Sequence, residues 1–257
     1  MRRLLVLLLA LILAIPASAQ TVDDIVKRGK VIIAVDTVTP PYGSIGPDGQ
    51  PDGYDPAVAR LVGKYLGVPV ELVPVTSQNR IPYLLTGRVD MVISLFSITA
   101  ERAMQVSFSI PYANEASVLV APKSTAVASF DDLRGKTVGV PRGTLQDAIL
   151  SAANPPGATI QRFDDEATAI QAMLSGQIDV LGTGSQVPRD MNRRSPGREY
   201  EVKMVLREAH FGIGTRRGQF DLLRWLDVFI YTVKNNGELN AISERYRGTK
   251  LPTLPVF

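Results

Sequence analysis

Apolar positions along this chain recur with two periods, close to 2 and close to 3.6 residues, and the switches between them mark its elements. Residues 31–35, VIIAV, form a short apolar run that predicts a buried strand. In DPAVARLVGKYLG, Val58, Leu61, Val62, Tyr65 and Leu66 fall on one face of a helix. Asp55 is placed to cap that helix, Pro56 suits its first position, and Gly67 ends it. Val70 and Leu72 then open another strand. The run Met91-Val92-Ile93-Ser94-Leu95-Phe96 predicts a further buried strand, followed by a short helix capped by Thr99 with Arg102 in its first turn. Near the end, DLLRWLDVFIYTVKNNGEL sets Leu222, Leu223, Leu226, Phe229, Ile230 and Val233 on one face, and Trp225 at that spacing reads as core. Strand–helix–strand alternation predicts an α/β fold of parallel sheets covered by helices.

The same words occur twice. RGKVIIAV (28–35) is matched by RGKTVGV (134–140), and YLLTGRVDMVI (83–93) by AMLSGQIDVLG (172–182). Both members of the second pair read as the end of an amphipathic helix, a glycine in the left-handed conformation, and a strand entered through an aspartate. Two matches in the same order, about 90–106 residues apart, are too widely spaced for a solenoid and predict two similar lobes.

The first 19 residues stand outside this pattern. Arg2 and Arg3 precede an apolar core from Leu4 to Ile15 and an A-x-A site at Ala17-Ser18-Ala19, the layout of a cleaved secretory signal peptide. Export and 238 mature residues follow, with no later apolar run of membrane-spanning length. The two leader arginines belong to a total of 28 basic residues; without them 26 face 25 acidic ones. A near-neutral chain without Lys/Arg blocks is not built to follow nucleic-acid phosphates. There is no cysteine and one histidine, His210, which argues against a zinc or haem site, and no D-x-[DN]-x-[DN]-G calcium loop is present. No metal or cofactor is expected. GIGTRRG (212–218) fails as a dinucleotide fingerprint because its third glycine comes one residue late.

Candidate chemistry gathers at helix starts. A cation is unfavourable in the first turn of a helix, where free backbone N–H groups already carry partial positive charge. Yet Arg102 in SITAER, Arg80 in TSQNRIP and Arg142 in RGTL each lie at a strand-to-helix junction. Such junctions face the carboxyl ends of strands, where open α/β sheets take ligands. This predicts a cleft equipped for anions, with Gly143 and Thr144 offering a further helix N-terminus. Arg102 has a plainer alternative, a surface pair with Glu101 or Asp90.

Several of these stretches resemble bacterial periplasmic amino-acid-binding proteins, the family 3 extracellular receptors of ABC importers. They are RIPYLLTGRVDMVISLFSITAERAMQVSFSIPY, DDLRGKTVGVPRGT, PPYG with DGQPDGYDPAVARLVGKYLG, and NNGELNAISERYRG. The resemblance covers nearly the whole mature chain. It implies a type II two-lobed fold, lobes joined by two hinge strands: lobe 1 at 20–115 and 210–257, lobe 2 at 116–209. It implies a monomer that closes on a small-molecule ligand, an amino acid or related carboxylate, and then meets a membrane permease. By the same resemblance Arg102 grips the α-carboxylate, Ser97 contacts the α-amino and carboxylate groups, and Leu95 lies beside it on the ligand wall. Thr144 and Leu145 complete the carboxylate site from the other lobe. Ser77 and Arg80 match positions that hold a side-chain carboxylate in acidic-ligand receptors; alternatively Arg80 braces the cleft against Asp36. Tyr42, after Pro40-Pro41, either stacks on the ligand or packs the lobe. His210, before the return crossing, reads as structural.

One position departs from the family pattern. Gly184 stands where an aspartate usually meets the α-ammonium. A buried ammonium without a counter-charge costs several kcal/mol, so another acid must serve or the ligand lacks the group. Asp36 is the substitute the sequence offers. Some relatives on this fold are dehydratases of cyclic carboxylates, so an enzyme resembling cyclohexadienyl dehydratase is the rival reading. Such chemistry requires a positioned acid or base, which Gly184 does not supply.

Overall fold

The computed structural model describes residues 21–256; the predicted signal peptide at 1–19 lies outside them. The described strands are β1 (Val31–Val35), β2 (Ser44–Ile45), β3 (Pro51–Asp52), β4 (Val70–Pro74), β5 (Met91–Val92), β6 (Val106–Phe108), β7 (Ala113–Pro122), β8 (Thr137–Pro141), β9 (Thr159–Phe163), β10 (Val180–Gly184), β11 (Tyr200–Phe211) and β12 (Gly214–Arg216). The helices are α1 (Val22–Arg28), α2 (Tyr54–Leu66), α3 (Arg80–Leu85), α4 (Ala100–Ala103), α5 (Leu145–Ala153), α6 (Glu166–Ser175), α7 (Val187–Arg194), α8 (Phe220–Asn235) and α9 (Glu238–Arg247).

Two five-stranded sheets carry the two lobes, ordered β4-β1-β5-β12-β6 and β9-β8-β10-β7-β11. Written this way they match strand for strand. β1 and β8, from the duplicated RGK segments, are second from the edge, and β5 and β10, from the duplicated Gly-x-x-Asp segments, are central. In each sheet the first three strands pair in parallel. The last two pair antiparallel, so both sheets are mixed rather than parallel throughout. The duplicated aspartates have the same job. Asp90 Oδ2 accepts from Ile32 N–H (2.7 Å) in β1, and Asp179 Oδ2 from Thr137 N–H (2.8 Å) in β8. Each ties the central strand's entry to its neighbour. Asp90 is buried and also pairs with Arg28. Asp90→Ala should leave the Ile32 N–H without its acceptor, at a cost of about 1–3 kcal/mol. A thermal melt should then fall by at least about 2–4 °C for a chain of this size.

Alternation along the strands divides the first core. Ile33 and Met91 face the layer of α2 and α8, with Val58, Leu61, Leu226 and Ile230. Ala34 and Val92, one residue on, face Leu84, Phe96 and Phe108. Val118, Val120, Val138, Val140, Ala169 and Ile170 are among those that build the core of the other lobe. In the first lobe's core, Trp225 lies stacked on Phe229 (centroids 5.5 Å apart) and is half-buried. The long β7 and β11 run antiparallel from Tyr200↔Pro122 to Phe211↔Ala113 and carry the chain between the lobes. His210 pairs with Asn114 there, and its carbonyl accepts from Ile98 N–H (2.9 Å).

Three local expectations change. The run after Met91 leaves the sheet at Val92, because Leu95 takes a left-handed backbone (φ 40°). Asp55 does not cap α2; the helix starts two residues earlier than expected, at Tyr54 after Gly53 (φ 127°). A Cβ at Gly53 would meet the Tyr42 carbonyl oxygen at 2.5 Å, so only glycine fits. Asp55 is instead buried, accepting from Leu95 N–H (2.9 Å) and from Tyr112 O–H (2.8 Å), and so holds the Leu95 turn in place. The last amphipathic segment is two helices, divided at Gly237 (φ 84°). Among the described residues no helix is long and apolar enough to cross a membrane.

Candidate functional site

One cavity opens where the carboxyl ends of the parallel strands of both sheets face each other. Thr39, Ser77, Arg80, Leu95 and Ser97 line it from the first lobe. Thr144, Leu145, Gln146, Glu166 and Gly184 line it from the second, and Glu115, Ala116, Ser117 and Phe211 from the connecting strands. Seven of the ten sequence candidates are therefore brought together: Ser77, Arg80, Leu95, Ser97, Thr144, Leu145 and Gly184.

Local chemistry explains how they are held. Thr144 is the N-cap of α5; its Oγ1 accepts from Asp147 N–H (3.2 Å) and donates to the Pro141 carbonyl (2.9 Å). That fixes the backbone of 143–145 at the cavity. Arg80, the first residue of α3, is buried, and its Nε donates to Ser94 Oγ (3.3 Å). No ion pair joins it to Asp36 among the described residues, so the brace imagined between the two is absent. Burial lowers the pKa of Arg80, while the nearby charges of Asp36, Asp55 and Glu166 act against that shift.

Arg102 stands just behind the lining. Its Nη1 donates to the Ser97 carbonyl (2.8 Å) and its Nη2 to the Gly143 carbonyl (2.9 Å), so one guanidinium joins the two lobes. It also lies over the Phe96 ring, 5.4 Å from the centroid. No carboxylate is within ion-pair distance of it among the described residues, so neither Glu101 nor Asp90 neutralises it. Burial, with the like charge of Arg80, lowers its pKa to about 10. Arg142 is different: it is exposed and faces Asp164 (3.6 Å), away from the cavity. Two of the three junction arginines thus belong to the cleft.

Two other candidates lie off the lining. Asp36 is buried with its Oδ1 accepting from Val38 N–H and Thr39 N–H (both 2.8 Å). It shapes the turn that presents Thr39. Tyr42 is also buried, edge-on to Tyr54 and Phe211, with its hydroxyl donating to the Asn114 carbonyl (3.4 Å). Packing within the protein thus occupies that ring, and Arg247 lies over it, 5.6 Å from the centroid.

An acid from another strand, Glu115, stands beside Gly184. A Cβ built on Gly184 would sit 2.4 Å from Glu115 Oε2, so the Glu115 carboxylate fills the room that a side chain at 184 would take. Gly184 pairs with Ser117 across the β7–β10 ladder, which sets Glu115 alongside. Glu115 Oε1 accepts from Gln186 N–H (2.8 Å). A second acid, Glu166, opens α6 and is bonded by Thr183 Oγ1–H. Neither glutamate was singled out by the sequence. Glu115 has a visible signal, the only charge on its strand; Glu166 has none beyond its helix-start position.

Burial raises both carboxyls, Glu115 to about 7 and Glu166 to about 8, and Asp55 close by to about 7. A carboxyl raised in the folded state keeps its proton there while the unfolded chain has lost it. Between about pH 4.5 and pH 8 the folded protein then holds more protons, so stability falls as pH rises through that window. Urea midpoints measured on ligand-free protein at pH 5, 6.5 and 8 should descend in that order, and Glu166→Gln should flatten the upper part of the slope.

Known proteins share this architecture. The model of the bacterial extracellular solute-binding proteins, family 3, matches residues 31–249. The L-cystine-binding protein TcyJ of Escherichia coli (strain K12) is 27% identical over 228 residues, 88% of this chain and 85% of its own length. The crystal structure of the solute receptor for L-cysteine of Neisseria gonorrhoeae superposes with a TM-score of 0.83 at 28% identity, covering 88% of this chain and 93% of that one. The ancestral amino acid-binding protein AncCDT-1, described as a precursor of cyclohexadienyl dehydratase, superposes at 0.81 with 31% identity, covering 88% and 99%. With two matched sheets, two connecting strands and a cleft at the facing strand ends, the chain belongs to the bacterial extracellular solute-binding proteins, family 3.

Proposed function

We propose that this protein is the exported receptor of an ABC importer and captures a polar α-amino acid between its lobes. The observation that carries the reading is Glu115, whose carboxylate stands against Gly184 and gives the cleft an acid for the α-ammonium. Arg102, Ser97 and the backbone at Thr144 then receive the α-carboxylate. A carboxylate arriving there gives the remaining N–H groups of Arg102 a charged acceptor beside its two carbonyls, and such charge-assisted bonds are worth about 1.5–3 kcal/mol each. Contacts from both lobes favour the closed form, which the permease would read. The A-x-A leader and the family support a periplasmic location.

Ser77 and Arg80 favour an acidic side chain, but Glu115 and Glu166 line the same cavity and weigh against one. Isothermal calorimetry on refolded, ligand-free protein with the twenty amino acids and small dicarboxylates tests the reading. At least one α-amino acid should bind with micromolar or tighter affinity, about −8 kcal/mol. Millimolar or weaker binding of all of them would defeat it.

A second reading, a dehydratase of cyclic carboxylates, is favoured by one observation. Glu166 is a half-buried carboxyl at the cavity whose pKa, raised by desolvation to about 8, keeps it protonated at neutral pH, the state a general acid requires. Prephenate and arogenate, followed by absorbance, distinguish the two: turnover establishes the enzyme, and no turnover leaves the receptor.

A further inference from the structure

Arg247 is a buried cation outside the cavity lining, with no acid in contact among the described residues. It closes α9, yet the dipole of that helix is served by the exposed Arg245 in the same turn, and Arg247 is turned inward. Its guanidinium lies over the rings of Tyr42 and Tyr54, 5.6 Å from each centroid. Nη2 donates to the Asn114 carbonyl (2.9 Å) and Nη1 to Ser243 Oγ (3.5 Å), while Nε has no partner among the described residues. Carbonyls and ring faces hold such a group in place but do not cancel its charge, and a buried charge left uncancelled is unfavourable.

The carbonyl that Arg247 holds belongs to the residue before Glu115. Glu115 is the opposite case: buried, given one backbone N–H, and without a cation in contact among the described residues. In a low-dielectric interior two such groups act on each other without touching. Around Glu115 also stand Asp55 on α2, Tyr42, Glu166 at the start of α6 and Glu208 on β11, none of them a cation. Burial raises the Glu115 carboxyl, and the positive charge of Arg247 pulls against that rise.

Resting on the receptor reading above, we propose that Arg247 is a positioning residue for capture: from the end of α9 it pins the start of the connecting strand β7 and supplies the fixed positive charge against which Glu115 presents a carboxylate to the ligand's α-ammonium. Its effect on binding passes through Glu115. The ammonium needs the ionised form, so affinity rises with pH through the Glu115 pKa, about 7 in the ligand-free protein, and levels off above it. Taking the cation away moves that midpoint up.

Carbon-13 NMR on ligand-free mature protein labelled at the glutamate carboxyls reads the midpoint directly, the Glu115 signal being the one lost in Glu115→Gln. In Arg247→Gln, which keeps a donor for the Asn114 carbonyl, the midpoint should rise by at least about 0.7 unit, within reach of one neighbouring charge. Arg247→Met, which fits between the two rings, takes its place should that variant not fold. Arg247→Lys, which keeps the charge and gives up the fork, should stay within about 0.3 unit of the parent. Calorimetry at pH 6 with the tightest-binding α-amino acid of the screen above should find the neutral variant at least about fourfold weaker than the parent. Because Glu166 titrates nearby, the comparison is repeated with Glu115→Gln in both proteins, where the difference should shrink to less than about 1.5-fold. An unmoved midpoint in the neutral variant, an equal rise in Arg247→Lys, or an equal loss of affinity with and without Glu115 makes Arg247 structural and overturns the proposal while the receptor stands. Absence of binding by every amino acid in the screen overturns both.

Discussion

Glu115→Gln should weaken amino-acid binding by a factor of about 150 or more while leaving the fold in place. The substitution keeps the shape and the bond from Gln186 N–H, because an amide oxygen can accept where Oε1 does now (2.8 Å). What it removes is the charge. The α-ammonium of a bound ligand would then be buried without its counter-ion, and breaking such a pair from one side costs about 3–5 kcal/mol. Stability should move the other way. The folded protein holds Glu115 with a pKa of about 7, so at pH 8 its ionised form is unfavourable when no ligand is present. The neutral amide relieves that, and the ligand-free variant should melt no lower than the parent. Calorimetry and a thermal melt on the same sample check both halves. Unchanged affinity would remove Glu115 from the site.

Arg102→Ala should be nearly as damaging, by a different route. The guanidinium now joins Ser97 and Gly143 across the gap between the lobes, and the ligand's carboxylate is expected on the same group. Losing it removes both a charged partner for the ligand and a direct bond that favours closure. Truncating one side of a buried, hydrogen-bonded charge pair costs about 2–5 kcal/mol, so binding should fall at least about thirtyfold. A distance label on each lobe should also report a smaller closed fraction at saturating ligand. Arg102→Lys should not restore the parent, since a single ammonium cannot reach two carbonyls as a planar fork does. Normal affinity in the alanine variant would return Arg102 to a purely structural role.

Much of this arrangement can be read along the chain because it is local. Thr99 and Thr144 act as caps over three residues, Gly67 and Gly176 end helices in the left-handed conformation, and Arg80 and Arg102 sit at the junctions their motifs indicate. The duplicated segments are legible for the same reason, since Asp90 and Asp179 each follow their helix-ending glycine by three residues. What escapes the sequence is adjacency across strands. Glu115 is 69 positions from Gly184, and only the antiparallel register of β7 and β10 brings them together. Proximity along the chain points instead to Asp36, whose carboxylate is already occupied by its own turn. Glu166 is hidden differently. An acid in a first helical turn is so ordinary that the dipole accounts for it, and only its desolvation at the cavity beside Thr183 sets it apart. Asp55 fails as a cap because tertiary demand outranked local preference: the Leu95 N–H and Tyr112 hydroxyl need an acceptor in the core.

Glu115 is the third residue of β7, one of the two strands that join the lobes, so on the proposed reading the group that meets the ligand is built into the axle itself. Neutralising that carboxylate changes the load on the very strand that must flex. Tuning capture strength by mutation at 115 will accordingly alter how fast the jaws shut, and the two properties cannot be engineered separately at this position.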